Sequence, residues 1–417
     1  MHIVHKLLNL LVLFSLLPEV LHAQTETKTF SNPVFAHDWP DPTVWQGDDS
    51  LYYTFSTAGS NYAKGLGKFL WSEDMVTWDT IPDYVWTNQT LSQLKQYGSS
   101  FWAPQVTRIG GRWLMYLTCY GNSSADPSIV VLTLDSETFP TSEGLHGPWS
   151  LNGVITSSRE NQIIDTIDPF VTEDTISGRV WMFFGSTGRN YRVELAADGL
   201  SLSDSATFTH VAGLSLAENP RRNKVFEGAY LYYREGYWYY FVSAGLYSNY
   251  TYNLKVGRSP SIDGTFLSRS GLPMTEGNAT TLLSTTSDEK DFFGPGHCGE
   301  LFEDNDGHTY IYYHCHAKDV PSTVAGYIPR ALMLQQIYWD EEGWPYFEGG
   351  KPLAQEAWPN LGDDSFQDLP SIGEEGEPGD AAIFTLTGQP IKTASSRGFH
   401  IIRYPDGTVR KSFVIEK

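Results

Sequence analysis

The sequence has little to cross-link it and little positive charge. Its 417 residues contain three cysteines, Cys119, Cys298 and Cys315, an odd number that excludes a disulfide framework. Three buried thiols, or one Cys298–Cys315 bridge, are the readings left open, because spacing alone does not establish bridge geometry. Lys and Arg total 28 against 49 Asp and Glu, a net charge of −21 that repels phosphate backbones and anionic lipid. Nucleic acid is therefore not expected as a partner, and an acidic polysaccharide is disfavoured for the same reason. No apolar run reaches the roughly 18 residues that a membrane-spanning helix needs, so no membrane insertion is expected. The run from Leu7 to Leu17 follows His2, His5 and Lys6 and precedes Leu21-His22-Ala23, which is the layout of a secretory signal peptide over residues 1–23. The mature chain is expected to be exported and soluble.

Aromatic residues are abundant instead: 13 Trp, 24 Tyr and 22 Phe. Such a surface suits a neutral polymer, gripped by stacking and hydrogen bonds without electrostatic penalty. Charged residues make up 18%, below the average of about 25%, while 38 Gly and 23 Pro punctuate many turns. This composition points to an all-β protein. Five segments repeat one aromatic, β-rich pattern: DSLYYTFSTAG from Asp49, GRWLMYLTCYG from Gly111, GRVWMFFGSTG from Gly178, GYWYYFVSAG from Gly236 and GHTYIYYHCH from Gly307. Their starts lie 62, 67, 58 and 71 residues apart, room for about four strands of five or six residues each. Four-stranded units at this interval predict a five-bladed β-propeller, with strands arranged around a central channel.

A second short strand precedes each repeat, and the residues that open it can be compared. Asp41, Ala103, Asp168, Glu227 and His297 lie 8, 8, 10, 9 and 10 residues before their repeats. In a propeller these positions meet at the channel mouth. Three carboxylates converging there repel one another and are partly buried, which raises the pKa of at least one and leaves another ionised. Such a split is what glycoside hydrolysis uses, an acid for the leaving oxygen and a base or nucleophile opposite. An Asp before Pro often only opens a turn; it is the shared register that sets Asp41-Pro42 and Asp168-Pro169 apart.

At these residues the sequence resembles family 43 of the glycoside hydrolases, five-bladed propellers acting on arabinose- and xylose-containing plant polymers. Asn32-Pro33 followed by Pro40-Asp41-Pro42-Thr43-Val44 resembles the family's opening block, Phe101-Trp102-Ala103-Pro104 its second-blade block, Ile167-Asp168-Pro169-Phe170 and Phe226-Glu227-Gly228-Ala229 its third and fourth. The resemblance implies Asp41 as general base, Asp168 as the group that tunes and orients the acid, Glu227 as general acid, and inversion at the anomeric carbon. Within the family the segment Phe241 to Ser259, GPGHCGEL from Gly294 to Leu301, and the run from Arg330 to Pro345 resemble arabinanases. Pro40 stands where arabinanases usually carry His, and His37 is displaced. The resemblance also implies that His297 helps position a calcium ion in the central channel, without an organic cofactor; one His is short of a metal site, so most ligands would be waters.

Asp38 competes with Asp41 for the base, but only Asp41 has the Asp-Pro context and the offset. Glu300 and Glu303 are read as strand-end residues without a role. Trp39 and Trp102 flank aligned positions and are candidate sugar platforms, although a Trp here is core as often as platform. Residues 30–355 are assigned to the propeller and 356–380 to an acidic linker with seven carboxylates between Leu361 and Asp380. Residues 381–417 alternate apolar and polar around Gly388 and Asp406-Gly407, a small β-unit. This unit resembles the C-terminal sorting domain of type IX secretion in the Bacteroidota, with a hairpin covering the propeller as the other reading. The resulting expectation is a monomeric, inverting hydrolase of α-1,5-linked arabinan, placed in the periplasm, at the surface or outside a bacterium and acting on plant cell-wall polysaccharide or oligosaccharide. The alternatives are an exo-acting α-L-arabinofuranosidase or β-xylosidase, and a carbohydrate-binding propeller without catalysis.

Overall fold

The computed structural model describes residues 28–362, apart from 58–66, 82–83, 122–125, 135–148, 220–224 and 323, together with short strands beyond residue 381. The predicted signal peptide and most of the acidic linker lie outside the described residues. Five antiparallel sheets follow one another along the chain, each built in sequence order from the channel outward. The innermost strands are Thr43–Gln46, Ser100–Ile109, Phe170–Glu173 and Phe226–Arg234 in blades I to IV. In blade V the inner strand is split into Phe292–Gly296 and Leu301–Glu303. The all-β, five-bladed architecture expected from the repeats is the one observed.

The repeated aromatic segments are the second strands: Tyr52–Phe55, Arg112–Tyr120, Val180–Phe184, Tyr237–Ala244 and Thr309–Ala317. They are buried along nearly their whole length, because each blade is covered by a neighbour on both faces. This removes the alternation of polar and apolar residues that a half-exposed strand would carry. The first and second strands join through tight turns such as Gly110-Gly111 and Glu235-Gly236, whose φ values of 57°, 80°, 48° and 87° give the twist that hairpins prefer. The core lies between blades. Trp45, Phe55, Trp113 and Met115 fill the space between blades I and II; Tyr116, Met182 and Val193 that between II and III; Phe183, Tyr240 and Ile311 that from III to V.

The ring closes through the first of the described residues. The third strand of blade V, Arg330–Trp339, pairs with an outer strand, Pro345–Tyr346, only at Tyr338 and Trp339. Farther along, Val34 N–H donates to Leu332 O at 3.0 Å, and Asn32 exchanges bonds with the Leu334 backbone at 2.8 and 3.0 Å. The N-terminal segment thus completes the last blade. Thr29–Ser31 continues the closure by pairing with Gln355–Ala357. Asn360 N–H donates to Asp304 Oδ2 at 3.0 Å, so contact with the propeller extends past residue 355, where the linker was expected to begin. Beyond residue 381, Ala382–Phe384, Pro390–Ile391, Gly398–Arg403 and Val409–Val414 form a separate four-stranded antiparallel sheet.

Cys119, Cys298 and Cys315 are all free and buried, so the Cys298–Cys315 bridge is not formed. Trp39 is a correction to the sequence reading. It is fully buried in the core between blades V and I, with its indole N–H on Thr54 Oγ1, and offers no face to a sugar. Glu300 is a second correction: its carboxylate accepts from Val44 N–H and Thr43 Oγ1 of blade I, tying the last inner strand to the first.

Candidate active site

At the mouth of the channel each blade turns through one left-handed residue. These are Asp41, Ala103, Asp168, Gly228 and His297, with φ of 54°, 41°, 59°, 63° and 47°. Four of the five use their backbone N–H in the same way, donating to a side chain near the end of the preceding blade's second strand. Ala103 donates to Thr57 Oγ1 at 2.8 Å, Asp168 to Thr118 Oγ1 at 3.0 Å, His297 to Ser243 Oγ at 2.6 Å, and Asp41 to His314 Nδ1 at 3.0 Å. A belt of cross-blade bonds thereby satisfies amides that burial would otherwise leave unpaired.

The belt breaks between blades III and IV. Gly228 N–H donates to the Asp168 carboxylate at 3.3 Å, and the matching hydroxyl of blade III, Ser186, donates instead to Glu227 Oε2 at 2.7 Å. The sequence register put Glu227 at the shared position; the structure puts Gly228 there, with Glu227 one residue upstream. Glycine relieves crowding here, since a Cβ at residue 228 would sit 3.0 Å from the His297 ring on a backbone of positive φ.

The three carboxylates meet one cleft of about 610 Å³. Asp41 is the most heavily supported. Its Oδ1 lies 3.1 Å from Arg330 Nη1, 3.2 Å from His297 Nδ1 and 3.3 Å from His314 Nδ1, and its Oδ2 accepts from Thr57 Oγ1 at 2.7 Å. Burial acts to raise its pKa, but the Arg330 guanidinium leads the groups that outweigh it, and the carboxyl is held well below the usual range. Asp168 and Glu227 move the other way. Burial raises both; the negative charges of Glu227 and Asp41 add to the effect on Asp168, while Ser186 and Tyr252 soften it for Glu227. One ionised carboxylate thus faces a pair that retains a proton.

The imidazoles are neutral. His314 is fully buried, and burial with the nearby Arg330 pushes it down to about 3. Because its Nδ1 accepts the Asp41 N–H, its proton sits on Nε2. His297 is likewise lowered, first by burial. Asp38 also lines the cleft, yet its Oδ1 is occupied by Tyr327 OH at 2.8 Å and Arg330 N–H at 3.0 Å, so it holds the chain in place. Trp102 lines the cleft and stacks on Tyr120 at 4.5 Å. Tyr247, half exposed on the rim, lies over the Arg330 guanidinium at 4.8 Å and is an aromatic face that the repeat register does not reveal. Arg330, His314 and Tyr252 also escape a reading of inner strands, since they arrive from second or third strands or the loops between them.

A calcium cage does not fit the residues around His297. They are a single imidazole and carboxylates already engaged by Arg330, Ser186 and Tyr252, too few free oxygens for a cage of protein ligands. Among the described residues, the acidic and histidine side chains spaced as an ion site would be are Asp304, Asp306 and His308, at the tip of a blade V hairpin. There Asp304 accepts from the backbone N–H groups of Asp306, His308 and Asn360, which is turn chemistry.

A sequence model of the glycosyl hydrolases family 43 matches residues 30–345. The extracellular endo-alpha-(1->5)-L-arabinanase 1 of Bacillus subtilis is 29% identical over 317 residues, covering 74% of this chain and 87% of that protein. The extracellular exo-alpha-(1->5)-L-arabinofuranosidase of Cellvibrio japonicus is 26% identical over 324 residues, covering 74% and 86%. Among solved structures, the Cellvibrio cellulosa alpha-L-arabinanase complexed with arabinohexaose superposes with a TM-score of 0.59 at 23% identity, covering 74% of this chain and 95% of that one. At such identity the likeness establishes the fold.

Proposed function

From the premise that this chain belongs to the glycosyl hydrolases family 43, we propose that it cleaves α-1,5-linked L-arabinan within the chain, with inversion. The observation that carries the mechanism is the opposite protonation of Asp41 and the Asp168–Glu227 pair across one cleft. Asp41 acts as general base. Held ionised by Arg330, it takes a proton from a water whose oxygen bonds to the anomeric carbon. Glu227 acts as general acid, giving its proton to the glycosidic oxygen as that oxygen receives the electron pair of the breaking bond. Asp168, tied to the Gly228 N–H beside Glu227, shares the pair's proton with the acid and orients the site.

Trp102 and Tyr247 supply the aromatic faces for sugar rings. A calcium ion in the channel takes no part in these steps, and one bound near His297 would be held chiefly by water. The signal at residues 1–23 directs the chain out of a bacterium, to the periplasm or surface, where it acts as a monomer on plant cell-wall polysaccharide or oligosaccharide. The terminal β-unit serves as a sorting domain for type IX secretion. Product analysis on linear, debranched arabinan tests the central reading. A ladder of oligosaccharides of inverted anomeric configuration is expected. A single small product from the first minutes would make the enzyme exo-acting, the activity for which the Cellvibrio relative is named; no hydrolysis would leave a binding protein.

A further inference from the structure

The two oxygens of Glu227 are held by two different hydroxyls. Ser186 reaches Oε2 at 2.7 Å and lines the cleft; Tyr252 reaches Oε1 at 2.8 Å and is fully buried behind it. The Tyr252 ring is fixed on several sides. It stacks on His314 with centroids 5.6 Å apart and planes 5° apart, and Gly296 lies so close that a Cβ there would come within 2.5 Å of the ring. Among the described residues its hydroxyl makes one hydrogen bond, to Oε1. Burial raises its pKa well above 10, with the carboxylates adding to the effect, so the phenol keeps its proton and donates it.

A rigid donor at Oε1 decides where the acid's own proton can sit. Were Glu227 protonated on Oε1, the phenol would have to turn and accept that proton, leaving its own hydrogen without a partner among the described residues. The proton is therefore displaced to Oε2. There the serine hydroxyl can turn to accept it, since serine offers two lone pairs as well as a donor. Oε2 is the oxygen on the cleft side.

We infer that Tyr252 is a positioning residue that keeps the transferable proton of Glu227 on the oxygen facing substrate. This rests on reading Glu227 as the general acid. In the step it governs, the Oε2–H bond breaks as the proton joins the glycosidic oxygen, which takes the electron pair of the cleaved C–O bond. Glu227 is left ionised, with Oε1 still held by the phenol.

The test compares two substrates in the full-length protein: linear arabinan, whose leaving group needs protonation, and a 4-nitrophenyl arabino-oligosaccharide, whose leaving group does not. Tyr252→Phe is expected to lower kcat on arabinan by about tenfold, less than the roughly 10²–10⁴-fold of an acid–base group itself, with KM little changed and a much smaller loss on the aryl substrate. Equal losses on both substrates, or none on arabinan, overturn the inference. Should Tyr252→Phe fail to fold, Ser186→Ala serves: with the phenol in place the proton stays on Oε2, so any loss is expected to be modest and alike on both substrates. A large loss confined to arabinan would mean that Ser186, not Tyr252, sites the proton. Glu227→Gln is run in parallel. If it retains full activity on arabinan, the reading of the acid itself has failed, whatever Tyr252→Phe does.

Discussion

Arg330 Nη1 donates to Asp41 Oδ1 at 3.1 Å across the seam between the last blade and the first. The pair is buried, so it sets a charge state as well as a geometry. Arg330→Met leaves Asp41 without its strongest cationic support, and the Asp41 pKa is expected to rise. Because the base must be ionised, the acid-side limb of the pH–rate profile should move to higher pH. Stability should fall by about 3–5 kcal/mol, the usual cost of leaving a buried charge unpaired. Calorimetry and a pH profile check both. A limb that stays in place would show that Arg330 is not what holds Asp41 ionised.

Glu227→Gln preserves size and the acceptor for Tyr252 but has no acidic proton. Hydrolysis of arabinan should drop by about 10²–10⁴-fold while oligosaccharide affinity, measured by calorimetric titration, is kept. Wild-type rates in the variant would remove Glu227 from the mechanism.

Glu300 links blade V to blade I, and burial pushes its pKa up to about 8. A carboxyl whose folded pKa is raised above its unfolded value stabilises the fold fully below the unfolded value, and that contribution disappears as pH rises through the folded one. Wild-type protein should therefore lose melting temperature between about pH 5 and pH 9. Glu300→Gln should flatten that dependence. Parallel melting curves for the two proteins across this range would count against the assignment.

The closing strand makes a prediction about length. Truncation after Gly362 keeps the Gln355–Ala357 pairing with Thr29–Ser31, and should leave arabinan hydrolysis and melting unchanged. Truncation after Ala354 removes that pairing and the Asn360–Asp304 contact, and should lower the melting temperature by several degrees, as a loss of about 1–2 kcal/mol does in a protein of this size. If the longer truncation melts no earlier, the N-terminal segment closes the ring unaided.

The aromatic repeats were legible because second strands are covered on both faces, which forces an unbroken apolar run in every blade. The offsets located Asp41, Asp168 and His297 at left-handed positions, but hairpin lengths vary by a residue or two. In blade IV that variation placed Glu227 where Gly228 belongs. Glu300 was passed over because a carboxylate next to a strand looks exposed until the neighbouring blade is placed against it. Trp39 was misjudged for the same reason: a residue beside the channel mouth in sequence can still face the seam between blades. Arg330, His314 and Tyr252 lie in segments that the sequence marks, but no local pattern ties them to the carboxylates, since the sequence separation of Arg330 from the carboxylate it supports is 289.

That separation bears on how the protein becomes active. Asp41 lies in the first blade to be made, whereas Arg330, His297 and His314 belong to the last, and the strand that locks the two together is completed by residues ahead of Asp41 itself. Until the two ends meet, Asp41 lacks Arg330, His297 and His314 beside it and has an ordinary carboxylate environment. Catalytic competence thus requires the closed ring, and turnover reports that the circle is complete.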